Sequence, residues 1–345
     1  MIIRICAFTD QGRKMADNLI AKWEEPIWQM RTEELALEQW IGESFRKRLP
    51  ILFIGACGIA VRMIAPFIKD KLTDSPVLVM DENGSFVIPI LSGHAGGANR
   101  LARQLSVILG AEPVITTATD VEGSFAVDVF ARDNGFRIQN RDGIKKISAK
   151  LLRGEQITVA VDREILILDK ALPEGLELVS DEEENVDLRI SLKKNDVKGQ
   201  TLLLVAKEYV LGVGCKRGKD FEELLDFVRR SCPFDPEKET YVISSIDLKK
   251  RETGLWNLAQ YCHVPLAFYS AEELEKVEGS FTESEFVKKV AGVSNVCERA
   301  ALLAAGREGV LIREKTAENG MTLAIARKRV VITSWMEQDS AKMPK

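Results

Sequence analysis

One stretch of this 345-residue chain joins an imidazole to a backbone free enough to bring it against a ligand: Leu91-Ser92-Gly93-His94-Ala95-Gly96-Gly97-Ala98-Asn99. His94 is one of two histidines, and imidazole is the side chain whose charge naturally changes near neutral pH, which suits it to general acid or base work. Gly93, Gly96 and Gly97 tolerate positive φ and let a bulky ligand touch the chain. The stretch lies between an apolar run at 85–91 and a helical pattern at 99–109 that stops at Gly110. Unpaired N–H groups at the start of such a helix can hold a carboxylate or an oxyanion. The structural alternative is a tight connection with Ser92 as the cap.

Two more loops follow predicted strands in the same part of the chain. Gly55-Ala56-Cys57-Gly58 comes directly after the apolar run Ile51-Leu52-Phe53-Ile54, and Arg62 puts a cation one turn into the apolar helix beyond it. Neither the dinucleotide pattern nor the Gly-Lys-Ser/Thr of a nucleotide loop is present there. Thr116, Thr117, Thr119 and Asp120 follow a strand at 113–115 and either cap the next helix or line a cleft. Loops that follow strands of a parallel sheet are expected to converge on one edge, so the three are read as one site. Later in the chain, 211–220 and 244–255 combine strand ends with Lys216, Arg217, Lys249, Lys250 and Arg251. Such cations suit a ligand with several carboxylates, and a solvated basic face is the alternative.

The elements that must hold these loops read as α/β. From 1 to about 130, strands and helices alternate, and Asn83-Gly84 sits where one antiparallel hairpin would turn. Between 131 and 207 short β-rich pieces surround Pro173-Glu174-Gly175 and an acidic run at 181–184, read as a solvated loop. A second α/β pattern occupies 208–335, and 336–345 is a polar tail. The expected architecture is thus N-terminal and C-terminal three-layer α/β domains with largely parallel or mixed sheets, joined by a smaller α+β middle segment.

Composition narrows the function. With 48 basic and 52 acidic residues the formal charge is −4, which gives no global attraction to nucleic acid or a membrane surface. No apolar stretch reaches membrane-spanning length. The six cysteines, at 6, 57, 215, 232, 262 and 297, form no Cys-x-x-Cys pair and no zinc-like cluster. A reduced cytoplasm, no protein-held metal and a small-molecule ligand are the expectations. Cys215 has no histidine near it in sequence to make it a nucleophile, and Cys262-His263 is read as structural.

Taken together, Ile54 to Pro66, the run from Asp81 to Ala102 with the following Pro113 to Asp120, and three C-terminal stretches at 211–225, 246–255 and 292–306 resemble the CbiG family of anaerobic cobalamin biosynthesis. The likeness spans most of the chain, least in the middle segment. It implies a cobalt-precorrin-5A hydrolase, which opens a δ-lactone and releases acetaldehyde to give cobalt-precorrin-5B. The cobalt would belong to the substrate, a corrinoid with many carboxylates, and no other cofactor is implied. The candidate catalytic residues are His94 and Asp120. Substrate contacts are expected from Gly55, Gly58, Arg62, Ser92, Gly93, Gly96, Gly97, Asn99, Thr116, Thr117, Thr119, Gly214, Lys216, Arg217, Lys249 and Glu252. A non-catalytic tetrapyrrole-binding protein is the alternative, suggested by the likeness of the C-terminal part to CobE. A nucleotide- or sugar-phosphate enzyme is disfavoured by the missing phosphate loop. Whether the chain forms a homodimer is open at this stage.

Overall fold

The computed structural model describes residues 1–32, 34–70, 73–93, 96–116, 125–194 and 201–336. They fall into two compact units that divide between residues 123 and 124.

The first unit is a six-stranded sheet of β1 (Ile2–Ala7), β2 (Ile27–Met30), β3 (Ile51–Ile54), β4 (Val77–Met80), β5 (Phe86–Leu91) and β6 (Glu112–Pro113), in the order β2-β1-β3-β4-β5-β6. β2, β1, β3 and β4 are mutually parallel. Both faces are covered, which explains why β3 and β4 are uninterrupted apolar words rather than alternating ones. Helices α1 (Asp10–Lys22) and α4 (Ala98–Leu109) bury Ile3, Ile5, Leu52, Leu78 and Met80 on one face. On the other, α2 (Leu37–Arg46) and α3 (Cys57–Ile64) cover Cys6, Ile51, Phe53, Val77 and Val79. The edge strand β2 was not anticipated from sequence: its four residues are only half-buried, so it carries neither an apolar run nor an alternation. The expected Asn-Gly turn is present, with Gly84 at φ +69° between the antiparallel strands β4 and β5.

The second unit holds two five-stranded sheets. One is ordered β10-β8-β11-β12-β7, from β7 (Phe136–Ile138), β8 (Ile157–Val161), β10 (Leu176–Val179), β11 (Leu188–Ser191) and β12 (Leu202–Ala206), with only β7 antiparallel to its neighbour. The other is ordered β15-β14-β13-β17-β16, from β13 (Tyr209–Cys215), β14 (Thr240–Ile246), β15 (Leu266–Tyr269), β16 (Val310–Glu318) and β17 (Met321–Arg327). Here β13, β14 and β15 are parallel while β17 and β16 return as an antiparallel hairpin. Helices Phe221–Ser231 and Thr253–Tyr261 cover one face, and Cys297–Ala305 covers the other.

The chain beyond β17 straps the two sheets together. β18 (Val331–Ile332) pairs in parallel with β9 (Leu166–Ile167). Trp335, 1% exposed, stacks on Phe130 with ring centroids 5.1 Å apart and donates from Nε1 to the Asp169 carbonyl oxygen. Asn134 accepts from the Thr333 N–H at 2.8 Å and donates to the Ser334 carbonyl oxygen at 2.8 Å. The acidic run is a surface loop, as read, with Arg163 donating to Asp181.

Where the strap leaves the sheet, Lys328 lies over the Tyr241 ring at 4.1 Å, and burial pushes its pKa down from 10.5 to about 8, against the pull of Glu208. The folded value lies below the unfolded one, so between about pH 8 and 10.5 the unfolded chain binds more protons and stability rises with pH. Replacing Lys328 with methionine is expected to flatten that rise and to stabilise the protein at pH 7 by about 1–2 kcal/mol, the relieved burial of charge less the lost cation–π contact. Urea unfolding of both proteins at pH 7 and pH 9.5 measures it; an unchanged pH slope would contradict the assignment.

Candidate active site

In the loop after β5, close contacts at Gly93 and Gly96 leave no room for a side chain at those two positions. Ser92 takes φ 55°, a left-handed conformation that costs a non-glycine residue roughly 1–2 kcal/mol. It is held there from two sides. Its hydroxyl donates to the Asp74 carbonyl oxygen at 3.0 Å, and its own carbonyl oxygen accepts from the Ala98 N–H at 3.2 Å. A methyl on Gly96 would lie 2.5 Å from the Ser92 Cβ, and one on Gly93 would lie 2.6 Å from Asn99 Oδ1. Gly97, at φ 86°, precedes α4 without a side-chain cap.

Those bonds decide which backbone donors are already used. The N–H groups of Ala98 and Asn99 are spent on the Ser92 and Gly93 carbonyl oxygens. Among the described residues none accepts from Gly96 or Gly97 N–H. Asn99, 4% exposed, packs against Gly93 and so serves the loop's own shape. His94, Thr117, Thr119 and Asp120 lie outside the described residues.

The expected convergence of three loops needs correction. β5 runs antiparallel to β4, so its carboxyl end lies beside the amino end of β4, with Leu91 opposite Val77. Gly55 sits at the other end of the sheet, its N–H bonded to the Met80 carbonyl oxygen. A four-residue strand of about 3.3 Å per residue separates the two ends, roughly 10–13 Å. The hairpin at Asn83-Gly84 reversed the chain, and the rule for parallel sheets therefore covers only Gly55 and Gly58. β6 is parallel to β5, so exposed Thr116 does share the end occupied by Ser92 and Gly93. Gly58 begins α3 with open space where a methyl would go, and Arg62 projects from the exposed side of α3 among Ile59, Val61 and Met63.

One residue near the site escaped the sequence reading. Asp74, 5% exposed, accepts from the backbone N–H groups of Lys69 and Asp70 at 3.0 Å each through Oδ2. Its signal, an aspartate ahead of Ser75-Pro76 at a strand entry, is that of an ordinary turn.

In the second unit, the candidate residues gather where β13 and β14 end. Glu252 accepts from the Gly218 N–H at 2.9 Å and from Lys249 Nζ at 3.2 Å. Glu252 therefore ties the turn after β14 to the loop at Gly218, and Lys249 pairs with it within that turn. Lys216 and Arg217 are exposed, with Lys216 lying along Gly320. Gly214 is set by packing, since a methyl there would meet Thr322 Oγ1 at 2.5 Å. Cys215 is held as a thiol, its pKa pushed up to about 11 mainly by burial.

Comparison with known proteins accounts for nearly all of this architecture. Three consecutive family descriptions match in order: Cobalamin synthesis G N-terminal over 39–120, Cobalamin biosynthesis central region over 125–209 and Cobalamin synthesis G C-terminus over 209–326. A cobalt-precorrin-5A hydrolase of Salmonella typhimurium is 37% identical over 301 residues, 82% of this chain and 83% of that protein. The chain belongs to the CbiG family. A second CbiG-family relative, the cobalt-precorrin-5A hydrolase of Priestia megaterium, is 30% identical over 93% of this chain and 94% of its own. Protein CobE of a Sinorhizobium species is 36% identical over 124 residues, 34% of this chain and 78% of its own. The CbiG matches run through both units. The loop 92–97 lies within the N-terminal match, and the pair of Lys249 and Glu252 within the C-terminal one.

Proposed function

We propose that this CbiG-family chain is a cobalt-precorrin-5A hydrolase. The observation that carries the reading is full-length similarity to two hydrolases of that name, each aligned over more than four-fifths of both chains. The loop at 92–97 adds a chemical rationale. Opening a lactone needs a base to take a proton from water as it adds to the carbonyl, and donors to hold the oxyanion that forms. His94 is assigned the first task and the N–H groups of Gly96 and Gly97 the second. Collapse of the tetrahedral adduct breaks the ring C–O bond and frees a hydroxyl. The departing alkoxide takes its proton back from the imidazolium. The neutral imidazole can then accept that hydroxyl proton as the acetaldehyde C=O forms and the carbon–carbon bond breaks, its electron pair passing to the conjugated macrocycle, and acetaldehyde leaves. Asp120 and the threonines Thr116, Thr117 and Thr119 are assigned to orienting water or substrate, and Arg62, Lys216 and Arg217 to peripheral carboxylates.

The cobalt arrives with the substrate, and the reaction as written uses no further cofactor. No described helix is long and apolar enough to cross a membrane, and all six cysteines are unbridged; we assign the chain to the cytoplasm. The sequence-based division into 1–130, 131–207 and 208–335 stands as a proposal about folding units.

The test is direct. Purified protein mixed anaerobically with cobalt-precorrin-5A is expected to release one acetaldehyde per corrinoid, and failure with authentic substrate would exclude the hydrolase. The similarity of a 124-residue stretch of the chain to CobE favours a second reading, a tetrapyrrole-binding protein without catalysis. Tight binding of the same substrate, followed by absorbance, with no acetaldehyde formed would favour it.

A further inference from the structure

The loop that carries His94 is anchored from outside by one residue that takes no part in the chemistry described above. We propose that Asp74 is a positioning residue for this loop, an inference that rests on the 92–97 loop being the catalytic one. Its carboxylate gathers the backbone N–H groups of Lys69 and Asp70, the first to both oxygens at 3.2 and 3.0 Å and the second to Oδ2 at 3.0 Å. Its carbonyl oxygen takes the Ser92 hydroxyl at 3.0 Å. Asp74 and Ser92 are 5% and 8% exposed, so neither bond is readily exchanged for water.

The geometry explains why the arrangement should matter for turnover and not merely for folding. Ser92 adopts φ 55°, which a serine does not hold without being over-determined by its surroundings. Its peptide sets the direction in which Gly93, the residue before His94 in sequence, leaves the sheet. On one side the Ala98 N–H fixes the Ser92 carbonyl oxygen, and on the other Asp74 fixes its hydroxyl. The carboxylate holds the 69–74 turn, the turn holds the Asp74 carbonyl oxygen in place, and that oxygen holds Ser92. Backbone between Ser75 and β4 ties the anchor to the sheet as well, because Ser75 Oγ donates to the Ser44 carbonyl oxygen at 3.1 Å. The loop is thus referenced to the rigid interior of the first unit, and a misplacement near 1 Å at a reacting group costs on the order of 100-fold in rate.

Three variants of the full-length protein test the proposal with cobalt-precorrin-5A turnover. Ser92→Ala removes one hydroxyl and is expected to lower kcat about 10- to 100-fold with KM within about threefold, since the effect falls on orientation of the reacting groups. Asp74→Ala, which opens the turn, is expected to lower kcat to a similar degree, and the double variant to be no worse than either alone. Asp74→Asn keeps an oxygen able to take both N–H groups and is expected to recover most of the lost kcat. Should Asp74→Ala fail to fold, the Ser92→Ala and Asp74→Asn results still decide the matter. Unchanged kcat per folded molecule in Ser92→Ala, while His94→Gln loses turnover, overturns the role of Asp74 and leaves the active-site reading intact. If His94→Gln also keeps full turnover, it is the active-site reading that fails.

Discussion

Replacing His94 with glutamine is expected to lower turnover of cobalt-precorrin-5A by about 10²- to 10⁴-fold, the usual worth of a positioned general base. Glutamine keeps hydrogen-bonding capacity and similar bulk while removing the ability to take a proton at neutral pH. The melting temperature should stay within about 2 °C, because the described contacts that shape the loop come from other residues. Gly96 lies against Ser92, Gly93 lies against Asn99, and Ser92 bonds to Asp74, none of which involves the side chain at 94. The acid limb of the wild-type rate profile, produced by protonation of a single base, should vanish in the variant. Measuring acetaldehyde release across pH 5 to 8 for both proteins supplies the comparison. A variant with undiminished rate and the same pH profile would remove His94 from the mechanism and leave the donors of Gly96 and Gly97 without a base to serve.

A methyl group added at Gly212 should strongly destabilise the protein. Its Cβ would lie 1.8 Å from the Cys297 carbonyl oxygen and 3.0 Å from the Ala301 Cβ, so the helix Cys297–Ala305 would have to leave the sheet. Small residues line that helix face: Ala300 and Ala301 are fully buried and Ala305 nearly so. They let the helix approach β13 backbone to backbone, and no side-chain rotation can relieve a contact with a carbonyl oxygen. The expected loss is about 3–5 kcal/mol, at or beyond the upper end for overpacking. Gly58→Ala is the matched control. A methyl there meets nothing within 4 Å, and alanine is better in a helix by about 1 kcal/mol, so that variant should be neutral to slightly stabilised. Chemical denaturation followed by circular dichroism distinguishes the two. Equal stability of Gly212→Ala and wild type would mean that helix and strand are not in this contact in solution.

Sequence and tertiary structure contributed different things here, and the boundary between them follows from range. Local patterns carried the buried strands, because Ile51–Ile54 and Val77–Met80 are covered on both faces and must be apolar throughout. They carried α4 as well, bounded by Gly97 and by Gly110 in the left-handed region. Half-buried Ile27–Met30 had no such pattern and went unread. The motif residues of the CbiG family were legible because chemistry and close packing restrict residue type at single positions, as at Gly93 and Gly96. The sequence by itself therefore determined the family, the α/β class and the loop to examine. Its neighbours were decided only in three dimensions. One reversed strand, β5, carried Ser92 to the end of the sheet opposite Gly55, and brought it onto Asp74, 18 positions earlier. Asn83-Gly84 marked that reversal in the sequence, but only the pairing register showed that it sets two similar glycine loops at opposite ends of one sheet. The same holds for Glu252 and Lys249, whose pairing with each other and hold on the Gly218 N–H only the fold shows.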